Sequence, residues 1–165
     1  MSSEPKYSEI QIRSFQKLPL NIGFLKKVAS RALGHEKVHQ DKEVSIVLVD
    51  NKMIKQLNEK FRGRSEITDV LAFPLGGEFA STESLLGEIV ISVEKAKEAA
   101  KEGGHGLKEE LALLVVHGIL HLLGYANDNE NHRRTMREKE GKILESLGIK
   151  VKIEKETTNE ITNQG

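Results

Sequence analysis

Two histidines four residues apart, His117 and His121, stand in the stretch HGILHLLGYAN (residues 117–127), inside a run that is otherwise strongly apolar. On a helix, residues at this spacing lie on one face, one turn above the other. Two imidazoles so placed converge on one cation at bond lengths of ~2.1 Å, which makes H-x-x-x-H a common zinc-ligand spacing. The competing reading is a pair of core histidines satisfied by ordinary hydrogen bonds. Burying two imidazoles costs desolvation twice unless something binds them, and that cost favours the metal.

Gly124 follows His121 by three residues and lets the chain turn sharply to bring back a third ligand, the layout of the zinc-peptidase pattern H-E-x-x-H-x-x-G-x-x-H. Two positions depart from that pattern. Gly118 stands where a glutamate acts as general base, which argues against peptide hydrolysis by that route. Asn127 stands where the third histidine belongs, which weakens the metal site.

The histidines need a helix and a frame, and both are legible. Ile10 and Ile12 alternate with polar neighbours, as in a first strand. Asn21 caps a helix to about Leu33, with Gly34 just past its end. The β-branched run Val44–Val49 reads as a strand covered on both faces. Asp50 caps a helix through about Phe61, stopped by Gly63. Asp69–Phe73 and Leu86–Ile91 read as two further strands, separated by a glycine-rich loop around Gly76 and Gly77. Ser92 opens a helix that runs into Gly103 and Gly104. The histidine helix begins near Leu107 and is apolar almost all round from Leu111 to Leu123, as a helix in the middle of a protein is. After Gly124, Asp128 is placed to cap a last, highly charged helix through about Leu147, closed by Gly148. The expected architecture is one α+β domain over residues 1–150. It has a roughly four-stranded mixed sheet packed with helices, a buried central helix carrying a zincin-like site, and a disordered tail over 151–165.

Composition narrows the function classes. A chain of 165 residues with 38% hydrophobic and 30% charged residues is an ordinary globular domain with room for a core. It has no cysteine, which excludes disulfides and thiolate metal sites and suits a reducing cytoplasm. MSSEPKYSEI has no apolar signal core and no run approaches a membrane span, so no membrane partner is expected. Lys plus Arg and Asp plus Glu balance at 25 each, so a polyanion would have to be held by a local patch.

Three blocks carry a family resemblance. HGILHLLGY closely resembles the H-G-x-L-H-L-x-G-Y-D-H signature of the YbeY endoribonucleases. Leu57–Pro74 (LNEKFRGRSEITDVLAFP) resembles that family's L-N-x-x-F-R-G-x-D-x-P-T-D-V-L-S-F-P block, and Leu85–Ser92 (LLGEIVIS) resembles its L-G-D-I-V-I-S strand. Their order and spacing match over roughly residues 40–145. The resemblance implies a single-strand-specific, metal-dependent endoribonuclease. Its role would be in ribosomal RNA maturation, at the 3′ end of the small-subunit rRNA, and in ribosome quality control. It would act in the cytoplasm, with an rRNA precursor and the ribosome as partners and no DNA.

The resemblance also implies one zinc ion per chain, with His117 and His121 as ligands. The family's Asp-His pair reads Ala126-Asn127 here, so the third histidine does not carry over. Asp128 ranks first as substitute, then His132, then Asn127 itself; a helix cap for Asp128 and a surface position for His132 are the competing readings. Arg62 falls on the arginine described as facing the zinc cleft, where a guanidinium can pair with two oxygens of a phosphate gaining negative charge. Lys55, Lys60 and FRGR make a local basic patch there. Thr68 and Asp69 match the family's T-D pair and are read as orienting the loop; Ser65, Ile67 and Glu88 depart from the usual Asp, Pro and Asp. Two rival readings remain at this level: a metal-dependent hydrolase of another substrate such as peptide, and a non-catalytic ribosome-associated binding protein with a weakened metal site.

Overall fold

Local capping chemistry sets most of the boundaries. In the computed structural model, which describes residues 9–66, 68–74 and 84–151, Asn21, Asp50 and Ser92 each accept a hydrogen bond from the backbone N–H three residues on. They start helices α1 (Ile22–His35), α2 (Asn51–Arg62) and α3 (Val93–Gly103). The remaining helices are α4 (Leu107–Leu122) and α5 (Glu130–Ser146), and the strands are β1 (Ile10–Ser14), β2 (Glu43–Val49), β3 (Val70–Pro74) and β4 (Leu85–Ser92). The expected loop around Gly76 and Gly77, Ile67 and the expected tail lie outside the described residues, apart from Val151.

Two local expectations are corrected. Gly34 is inside α1: the helix runs on to His35, and its last carbonyls are taken by Lys37 N–H on Gly34 and Val38 N–H on Leu33. Lys37 takes the left-handed conformation there (φ 57°) because Val38 is held against the core, which places the turn three residues after the glycine. Asp128 does not cap α5. Asn129 does, its side chain accepting from the His132 N–H at 2.8 Å.

The sheet has four strands in the order β1-β2-β4-β3. β1, β2 and β4 run parallel, and β3 joins β4 antiparallel at the edge, so the sheet is mixed. Alternate residues serve two layers. Val44, Ile46, Leu48, Ala72, Ile89 and Ile91 face a large core shared with α1 and α4, while Val47, Val49, Leu71 and Val90 face Ile54 and Leu57 of α2. Strands buried on both faces are what the unbroken apolar run of β2 requires. No described helix is long and apolar enough to cross a membrane.

α4 packs on β3 and β4 and is enclosed by α1, α3 and α5. That position accounts for its all-round apolar character: eleven of its sixteen residues are buried. The approach to the sheet is close. A Cβ on Gly118 would lie 2.8 to 3.1 Å from three side-chain atoms of Ile89, and one on Gly87 would lie 2.5 Å from the Phe73 carbonyl oxygen.

Candidate active site

α4 presents His117 and His121 side by side, with ring centroids 4.9 Å apart. His121 is buried, and the His117 side chain is 18% exposed. Gly118, between them, is the point where the helix meets Ile89 of β4. The side chain that a peptidase would need at this position has no room, so the missing glutamate follows from the packing of this helix on this sheet.

Glu140 of α5 holds His117 from behind. Its carboxylate contacts Nδ1 of His117, and it is itself only 3% exposed. With Nδ1 donating to a carboxylate, the lone pair of the neutral ring belongs to Nε2, and that atom is buried without a hydrogen-bond partner. A largely enclosed imidazole with one nitrogen fixed on a carboxylate is the arrangement found in metal-ligating histidines.

The charges around the pair are unequal. Burial lowers the His121 pKa to about 3, helped by His117 and by the positive charge of Arg62, so this ring stays neutral and keeps a lone pair. Burial works in the same direction on His117, but the Glu140 carboxylate, by its charge and its hydrogen bond, outweighs it and raises that ring's pKa from its ordinary value. Asp69, just before β3, is buried, and burial raises its carboxyl to about 6 although His117 opposes the shift.

Arg62 arrives from the other layer. It ends α2, where Gly63 turns the chain at φ 69°, and its Nη2 donates to the Ala72 carbonyl oxygen of edge strand β3 at 3.1 Å. Its guanidinium lies 5.5 Å from the Phe73 ring centroid. The edge of the sheet thus carries a fixed cation from the α2 side to within electrostatic reach of His121. Asn58, fully buried, supports the same turn by donating to the Glu66 carbonyl at 3.1 Å.

The chain does turn after Gly124 (φ 101°): the Tyr125 N–H bonds the Leu120 carbonyl and the Gly124 N–H bonds that of His121, which closes α4. Beyond it, the Tyr125 hydroxyl donates to Glu36 at 2.6 Å and the Asn127 carbonyl accepts from Arg133. Asp128 and His132 pair with each other on the surface, both more than half exposed. Among the described residues, no three His, Cys, Asp or Glu side chains gather into a metal-ligating group. His117 and His121 therefore fit two of the three protein ligands usual for a catalytic zinc, backed by Glu140. The structure brings His117 and His121 together, places Arg62 within electrostatic reach of His121, and pairs Asp128 and His132 with each other on the surface.

Sequence reasoning missed Glu140, although a signal existed. Met136, Glu140, Ile143 and Leu144 are the buried residues of α5, spaced as one helical stripe. A glutamate on an otherwise apolar stripe has to be partnered, and His117 is the partner.

The sequence model of the family described as Endoribonuclease YbeY matches residues 9–148, a span that includes Arg62, both histidines and Glu140. A relative from Carboxydothermus hydrogenoformans, named Endoribonuclease YbeY, is 52% identical over 106 residues, covering 64% of this chain and 73% of its own length. Relatives of the same name from Caldanaerobacter subterraneus and Alkaliphilus metalliredigens are 46% and 41% identical, covering 72% and 84% of this chain and 82% and 90% of their own. Among solved structures, the solution structure of a Thermotoga maritima protein matches with a TM-score of 0.57 at 28% identity, covering 84% of this chain and 91% of that one.

Proposed function

The chain belongs to the YbeY family of endoribonucleases, and from that premise we propose that it cleaves single-stranded RNA at a zinc site on α4, in the maturation of ribosomal RNA in the cytoplasm. The observation that carries the site is the pair His117 and Glu140: a largely enclosed imidazole oriented by a buried carboxylate, with Nε2 left unmatched beside a second, neutral imidazole. His117 and His121 hold the ion, and Asp128 is the first choice for a third ligand at the cost of its surface contact with His132, followed by His132 and then Asn127. Bound zinc supplies Lewis acidity at the scissile phosphate.

The remaining work falls to the chain's own residues. Arg62, fixed on Ala72 and Phe73, holds a guanidinium within electrostatic reach of His121, where it binds phosphate oxygens and stabilises the charge that develops on them. Glu140 keeps the His117 ring from rotating and raises its basicity. The tight packing at Gly118 argues against the peptidase route, and the family match favours the endoribonuclease over a non-catalytic binding protein with a weakened metal site.

Replacing His121 by alanine is expected to reduce cleavage of a single-stranded precursor of small-subunit rRNA by at least a hundredfold while the protein stays folded. Undiminished cleavage by His121→Ala would remove α4 as the site. The Glu140→Gln variant is expected to bind zinc roughly 10- to 100-fold more weakly, read by competition with a chromophoric chelator and independent of turnover. An unchanged affinity would mean that Glu140 has no role toward the ion. The same competition with Asp128→Ala, His132→Ala and Asn127→Ala ranks the candidates for the third ligand.

A further inference from the structure

Phe61 stands one residue before Arg62 and is 58% exposed, more than the other large apolar side chains left on the surface of the described residues. It is held in place nonetheless. Its ring meets Phe73 of β3 edge to face, with centroids 5.7 Å apart and planes at 67°. Phe73 also carries the Arg62 guanidinium, 5.5 Å from its centroid, so one side chain of the edge strand positions both the exposed ring and the arginine. The Lys60 ammonium lies 5.2 Å from the Phe61 centroid. Within KFRGR (residues 60–64) three cations flank one aromatic residue in sequence, with Glu59 and Glu66 bounding the run on either side. In a chain of zero net formal charge this is a local feature.

Phe15 is almost as exposed, at 54%, and what sets Phe61 apart is that its ring is held by Phe73 with Lys60 over it and Arg62 next in the chain, a fixed aromatic face beside cations. Single-stranded nucleic acid matches it on both counts. A splayed base offers a flat π-face to an aromatic ring, while the backbone phosphates follow the flanking cations. A duplex does not match, because its bases are stacked on one another.

We propose that Phe61 is a stacking platform for a nucleobase of the RNA substrate, seated so that a neighbouring phosphate lies on Arg62 and Lys60 leaves the ring for the backbone. The inference rests on the endoribonuclease reading and deepens it by assigning a base subsite next to the cleavage site. The subsite tolerates any base, since every base has a π-face, and it selects for unpaired RNA.

The chain has no tryptophan, so Phe61→Trp installs a single indole on the platform. On rapid mixing of that variant with a short single-stranded RNA, the indole fluorescence is expected to be quenched before cleavage proceeds. The same strand annealed to its complement, or carrying abasic residues throughout, is expected to leave it bright. Phe61→Leu removes the π-face while keeping an apolar side chain. It is expected to raise KM roughly 5- to 150-fold with kcat within about a factor of two, and to melt at the wild-type temperature. Equal quenching by the abasic strand, or a Phe61→Leu KM equal to that of the wild type, would overturn the platform while leaving the endoribonuclease reading intact. A wild-type protein that neither binds nor cleaves single-stranded RNA would overturn both.

Discussion

Replacing Arg62 by alanine is expected to lower kcat for RNA cleavage by about a hundred- to a thousandfold, with little change in melting temperature. The expectation follows from how the side chain is held. One guanidinium nitrogen is committed to the Ala72 carbonyl, and the plane rests near the Phe73 ring, so the group is oriented before substrate arrives. Partial burial strips water from it and lowers the arginine pKa, yet a guanidinium stays charged at any working pH. A preoriented, partly desolvated cation contributes more to a transition state than a mobile one, because no reorganisation is needed as charge builds. Arg62→Lys is expected to recover little of the loss: a single ammonium cannot bond Ala72 and present a planar pair of donors to a phosphate at once. Single-turnover rates on a defined single-stranded RNA measure both variants. An Arg62→Ala protein that cleaves at the wild-type rate would show that the cation belongs to the fold alone.

Gly118→Glu, which writes the peptidase sequence HEILH into α4, is expected to cripple the fold and to yield no peptidase activity. A Cβ at this position already falls within 2.8 Å of Ile89, a β-branched residue that is fully buried and cannot swing aside. Overpacking a filled core costs roughly 1–3 kcal/mol. An uncompensated buried carboxylate adds several more, against a total stability of roughly 5–15 kcal/mol for a domain. The melting temperature should fall by at least about 10 °C, measured by circular dichroism. Gly118→Ala is the milder probe. Helix propensity favours alanine by about 1 kcal/mol, so a net loss would assign the cost to the contact. Combining it with Ile89→Ala should then cost less than the sum of the two single changes. A Gly118→Glu protein melting within a few degrees of the wild type would refute the close helix–sheet approach.

How much was legible in the sequence depends on how local the physics is. Asn21, Asp50, Ser92, Gly63 and Gly124 act within a few residues of themselves, and each does what its type suggests. Gly34 and Asp128 misled because a better-placed neighbour decided the matter: Val38, anchored in the core, and Asn129, one residue nearer the helix. The histidine pair could be read because spacing and helical period coincide on one element. Glu140 lies on another helix, and the sequence shows that it needs a partner without showing which one. The placement of Arg62 was carried by family resemblance alone, since its route from α2 around β3 depends on β3 being the antiparallel edge of a β1-β2-β4-β3 sheet. Strand order is a long-range outcome that no local pattern in these residues encodes.

The two halves of the site sit in parts of the molecule that open on different scales. α4 is clamped by α1, α3, α5 and two strands, whereas α2 packs chiefly on β4 and α3 and buries only Ile54 and Asn58. Amides around the histidines are therefore expected to exchange with solvent only when the whole domain unfolds, and the last turn of α2, bearing Phe61 and Arg62, to open locally at lower free energy. In its closed form that turn already holds Arg62 on Ala72 and Phe73, so substrate binds the closed form and shifts the local opening equilibrium toward it. Stiffening this turn would tighten substrate binding and slow product release, which makes the end of α2, rather than the histidine helix, the place where affinity is traded against turnover.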